Sequence, residues 1–112
     1  MNAEEIKQQL REIFGQHVMF NKEFDSYTDR LKETMQEDFI AWCKQVKERE
    51  IQPIQSETKK DVLIFVKRIG STNRCIVLKL VNGEFKEVHI ADHDYYNKLM
   101  THLGLKKSSN QF

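Results

Sequence analysis

Residues 62–105 read VLIFVKRIGSTNRCIVLKLVNGEFKEVHIADHDYYNKLMTHLGL, and this stretch decides the fold. Val62–Ile69 and Arg74–Val81 are apolar runs rich in β-branched residues, separated by the polar turn Gly70-Ser71-Thr72-Asn73. Asn82-Gly83 then favours a type I′ hairpin turn, which needs positive φ at both central residues. Phe85–Ala91 is a third run. The pattern predicts an antiparallel three-stranded meander over 62–91, closed by a helix over 94–103. That topology returns His89 and the loop Asp92-His93-Asp94-Tyr95-Tyr96 to the edge that carries Lys67, Arg68 and Arg74. Cations, imidazoles, carboxylates and phenols therefore gather at one end of one small sheet.

Working outward, Asp92 or Asp94 can cap the last helix, and Gly104 suits the position after its end. Lys106–Phe112 is a polar tail expected to fray. Toward the N-terminus, Ile51–Lys60 reads as a polar linker. Before it, Tyr27, Leu31, Met35, Phe39, Trp42 and Val46 recur at helical spacing, which predicts one long helix over 26–48 packed on the sheet. Asp25-Ser26 is its expected N-cap, with Asp29 in capping-box spacing, and Pro53 limits its end. Such a stripe is core rather than a cofactor box. Ile6, Leu10, Ile13 and Phe14 predict a further helix over 2–14, ended by Gly15. Residues 17–24 read either as a short extended segment, the preferred reading, or as the start of the next helix. The whole is an α+β chain of 112 residues, one domain by length.

Composition excludes several classes. No apolar run approaches a membrane span, and the opening MNAEEIKQQL lacks the character of a secretory signal. Cys43 and Cys75, on a predicted helix and a predicted strand, read as buried thiols rather than a disulfide framework. These features point to the cytoplasm. The net charge of +1 is split: residues 1–56 carry 8 basic and 11 acidic side chains, and residues 57–112 carry 10 and 6. A basic sheet half on an acidic helical half suits an anionic ligand on the sheet.

No phosphate-binding glycine loop, dinucleotide fingerprint or CxxC pair is present. His89 and His93 form an HxxxH, a zinc spacing when both lie on one helix, with Asp92 or Asp94 as the only evident third ligand. Here the pair spans a strand end and a turn, so no metal site is expected. His93 lies between two carboxylates, which favour its protonated form and suit a general acid; the alternative is a surface histidine near a helix start. Lys67, Arg68 and Arg74 bracket the turn and offer donors matched to phosphate, or are solvated hairpin charges. Tyr95 and Tyr96 can stack on bases, although one of such a pair commonly plugs the core.

Taken together, an arginine opening a central strand, an Asn-Gly hairpin, the stretch Ala91-Asp92-His93-Asp94-Tyr95-Tyr96 and a short final helix resemble the RelE/ParE toxin superfamily. The histidine-bearing branch that includes the YafQ-type toxins is the nearest in pattern. The resemblance covers Val18–Leu105 and is carried by Lys67–Tyr96. It implies helices packed on an antiparallel sheet and a metal-independent ribonuclease, without cofactor, that cleaves messenger RNA at the ribosome. It also implies a cognate antitoxin protein as partner. By that resemblance Arg74 is a phosphate-binding arginine, His93 the catalytic imidazole, and Tyr96 or Tyr95 the aromatic that closes the site. Lys67 and Arg68 match only the family's general habit of basic residues near this edge, and with Tyr95, His89 and Asp92 they are the candidate substrate-binding residues at this end of the sheet. The extra helix 2–14, a single long helix where the family commonly has a helical hairpin, and the low net charge depart from the pattern. ParE-type members with the same fold are not ribonucleases.

Overall fold

The structure, a computed structural model, describes residues 1–56 and 58–104, so the tail expected over 106–112 lies outside the described residues. Its elements are α1 (Ala3–Phe14), β1 (Met19–Phe20), α2 (Phe24–Arg30), α3 (Glu33–Lys47), β2 (Ile54–Gln55), β3 (Val62–Ile69), β4 (Asn73–Leu80), β5 (Phe85–Asp92) and α4 (His93–His102). The fold is α+β. The five strands form one sheet in the order β1-β5-β4-β3-β2. The meander β3–β4–β5 is antiparallel as expected, with Val62↔Leu80 and Arg74↔Ala91 near its ends.

The sheet is wider than its three long strands, and its first strand has a direction the sequence did not show. β1 runs parallel to β5, with Met19 beside Glu87. The buried Asn21 amide extends that pairing: Nδ2 donates to the Ile90 carbonyl and Oδ1 accepts from the Ile90 N–H, both at 3.0 Å. The linker contains β2, a two-residue strand pairing antiparallel with β3 directly after Pro53. Proline is tolerated there because it precedes an edge strand.

The single helix expected over 26–48 is two helices. Leu31 and Lys32 are extended, with ψ of 140° and 150°. Four-residue steps advance about 40° each, so Tyr27 to Phe39 spans about 120°, an ordinary apolar face, and spacing alone gives no sign of the break. With the break in place all four still join the core on that face. Thr28 assists: its buried hydroxyl bonds back to the Phe24 carbonyl at 2.8 Å, a contact that bends helices. Gln36 Nε2 then donates to the Thr28 carbonyl at 2.8 Å, a second bond to an acceptor that also takes the Leu31 N–H at 3.2 Å, and so ties α3 to the end of α2. The expected Asp25-Ser26 cap is also displaced. α2 begins at Phe24 after Glu23, Ser26 Oγ donates back to the Glu23 carbonyl, and Asp25 pairs with Lys7 at 2.5 Å.

The Asn82-Gly83 turn departs from type I′. Only Gly83 of the pair has positive φ, at 104°. Asn82 instead uses its side chain, whose Oδ1 accepts from Glu84 N–H at 2.9 Å, and the register shifts between Leu78 and Lys79. Residues 81–84 thus form a four-residue loop with a bulge behind it.

Two apolar layers sandwich the sheet. α1, α2 and α3 pack on one face around Phe24, Phe39, Val77 and Val88. α4 covers the other with Tyr96, Met100 and Leu103 against Ile64, Ile76 and Leu78. Cys43 and Cys75 are free and buried, and burial raises both thiols well above their ordinary value. Among the described residues no helix is long and apolar enough to cross a membrane.

Candidate functional site

α4 starts where it does because Asp92 caps it. Its Oδ1 accepts from Tyr95 N–H and its Oδ2 from the Tyr27 hydroxyl, each at 2.9 Å. The backbone donor first, then the phenol, hold the Asp92 carboxyl below its usual range, while the same phenol–carboxylate bond raises Tyr27. The Arg30 guanidinium lies 4.8 Å from the Tyr27 ring centre. Tyr27, Arg30, Asn73 and Asp92 border a cleft of about 320 Å³ at this end of the sheet; neither Arg74 nor His93 lines it. Asp92 is thus committed to capping and to Tyr27.

The same cap places His93 and Tyr96 on the first turn of α4, three residues apart and on one face of the helix. The rings of His93 and Tyr96 stand 6.2 Å apart, and the Arg74 guanidinium lies 5.9 Å from the Tyr96 ring. The three residues therefore form a continuous run with the phenol in the middle. Arg74 is only 2% exposed, and its Nη1 donates to the Asn73 carbonyl at 3.1 Å. Burial, then the neighbouring Arg68, lower its pKa. Tyr96 is 5% exposed, and burial raises its hydroxyl against the opposing pull of Arg74. His93 is exposed, with Nδ1 3.2 Å from Asn97 Nδ2.

The basic trio is divided by strand alternation. Arg68 pairs with Arg74 on the face that α4 covers, and Arg68 is exposed. Lys67 pairs with Cys75 and so lies on the opposite face, away from His93 and Arg74. His89 does not reach the sheet end either. It pairs with Ile76, two positions inside the Arg74–Ala91 pair, and is 5% exposed. Both its nitrogens are occupied: Nε2 is 3.0 Å from Glu87 Oε1, and Nδ1 is 3.0 Å from the Tyr95 hydroxyl. The bond to His89 is the main cause that holds Glu87 below its ordinary value, and burial is the main cause that raises Tyr95. Tyr95 is thereby turned to His89, and Tyr96 is the tyrosine that meets His93 and Arg74.

With His89 engaged on both sides, the HxxxH pair does not converge, and among the described residues no three side chains gather to hold a metal ion. Glu87 and Asn97 were missed by sequence reasoning. Each had a signal: Glu87 is two residues from His89 on a strand, and Asn97 is four from His93 on a helix, spacings that place both pairs on common faces. The partnership of Tyr27 with Asp92, 65 residues apart, had none. In comparisons with known proteins, the chain matches no family model, no curated protein and no solved structure.

Proposed function

We propose that this chain is a RelE/ParE-type toxin that cleaves RNA at the junction of β5 and α4. The observation that carries the reading is the His93–Tyr96–Arg74 run, with exposed Arg68 beside Arg74. A ribose 2′-hydroxyl attacks the adjacent phosphorus and releases its proton to solvent. The bond from phosphorus to the 5′-oxygen breaks, and protonated His93 delivers a proton to that oxygen, leaving a 2′,3′-cyclic phosphate and a 5′-hydroxyl. Arg68, in solvent, contacts the phosphate and offsets the charge that develops there. Arg74, buried beneath Tyr96, acts as a positioning residue: it sets the height and polarity of the phenol on which His93 rests.

Expression of the chain should arrest growth and cleave messages to fragments with cyclic phosphate ends. His93→Ala and Arg68→Ala should each relieve the arrest while retaining the wild-type circular dichroism spectrum. Wild-type expression with neither growth inhibition nor cleavage overturns the reading. A second reading, a non-catalytic module that binds nucleic acid at the same end, is favoured by the burial of Arg74. It predicts RNA retention without new 5′ ends, weakening steeply with salt.

A further inference from the structure

The far end of the sheet, on the face opposite α4, carries a second concentration of positive charge. There a groove of about 390 Å³ opens between the end of α3 and the loop after β4. Ile51, Leu63 and Phe65 supply apolar wall, and Arg49 and Lys79 supply cations. Val81, 58% exposed, forms an apolar rim. The Lys79 ammonium stands 4.9 Å from the Phe85 ring centre, and the Lys47 ammonium 5.5 Å from the same centre. Among the described residues, no carboxylate forms an ion pair with Lys47, Arg49 or Lys79. Burial first, then the neighbouring Arg49 and Lys47, lower the pKa of Lys79.

Arg49 is placed here at a cost. It follows α3 with φ of +62°, the one non-glycine among the described residues in the left-handed region. Glu50 N–H bonds the Gln45 carbonyl at 2.9 Å and Arg49 N–H the Val46 carbonyl at 3.2 Å, the double closure of a helix that ordinarily ends in glycine. A guanidinium thus occupies a position where glycine would be the less strained choice. Strain held at one residue is a pointer to use.

We propose that this groove binds a small anion with an apolar body, its phosphate or carboxylate head held between Arg49 and Lys79 and its body against Leu63 and Phe65. The volume falls in the lower range of small-molecule sites, about 300–1,000 Å³. Paired cations without carboxylate partners among the described residues supply the anion preference, and the apolar wall takes the body of the ligand.

The test is a fluorescence titration of the full chain with 1-anilinonaphthalene-8-sulfonate as probe. We expect saturable one-to-one binding. Arg49→Gly and Lys79→Gln should each weaken it at least tenfold, and the neutral analogue N-phenyl-1-naphthylamine should bind at least tenfold less well. Arg49→Gly should melt at or above the wild-type temperature, because it relieves the left-handed strain, so its loss of binding cannot come from unfolding. Displacement by phenyl phosphate identifies a phosphate head, and displacement by 3-phenylpropionate a carboxylate head. Unchanged affinity in both variants, equal binding of the neutral analogue, or displacement by neither competitor overturns the proposal.

Discussion

The Tyr95 hydroxyl lies 3.0 Å from Nδ1 of His89, and the far side of the same ring lies 3.0 Å from Glu87 Oε1. Glu87 on one side and the Tyr95 hydroxyl on the other thus engage both ring nitrogens. One buried imidazole in this way fastens the first turn of α4 to the middle of β5.

Tyr95→Phe removes the hydroxyl and keeps the ring. It leaves a buried Nδ1 without its partner, a loss of about 1–3 kcal/mol. Thermal unfolding should show a drop of several degrees. Melting at the wild-type temperature would mean that the bond contributes nothing to the fold.

Acid should loosen this region, but only at the low end of the pH scale. Glu87 and Asp92 both have folded pKa values below their ordinary 4.5 and 3.8. Depressed carboxylates contribute stability that is complete above the ordinary value and is lost as pH falls through the folded one. Urea midpoints measured from about pH 6 down to pH 2 should therefore fall on the acid side. Glu87→Gln should flatten that limb; an unaltered acid slope would remove Glu87 from the account.

Asp92→Ala strips the cap from α4 and the partner from Tyr27. The cap alone accounts for about 1 kcal/mol. Asp92→Asn should recover most of the loss, since an amide oxygen still accepts from Tyr95 N–H. Denaturant titration of the two variants distinguishes capping from charge.

Gln36→Leu tests the hinge between α2 and α3. It removes the bonds from Gln36 to the Thr28 and Met1 carbonyls, while the Thr28 carbonyl keeps the Leu31 N–H, and should cost about 0.5–1.5 kcal/mol per bond lost. A variant as stable as wild type would show that these bonds contribute nothing to the joint.

The meander and α4 were legible because their signals are local: β-branched runs, turn residues, an aspartate before a helical pattern. The helix break was not. Spacing by four reads as one continuous stripe, and the residues that end it, Thr28 and Gln36, act through contacts across the break. β2 was hidden because two residues on a sheet edge leave no periodicity. Asn82-Gly83 marked the turn but not its type, since the asparagine side chain took over a backbone role. In the candidate site, topology foretold that the start of β4 and the end of β5 share one end of the sheet, but not that the buried Tyr96 ring stands between His93 and Arg74. The separation of Lys67 from Arg68 was available from strand alternation alone. The burial of His89 and Arg74 was not, because it depends on how α4 folds back over the sheet.

β1 has a bearing on how copies of this chain behave toward one another. β5 is a long strand whose outer side is shielded by two residues of β1 and the amide of Asn21. Should residues 19–21 detach, unpaired backbone would be laid open, a template onto which another molecule can add a strand. Trimming the N-terminal segment, or replacing Asn21 by leucine, would then turn a self-contained sheet into a sticky one, visible as concentration-dependent growth in light scattering well below the melting temperature.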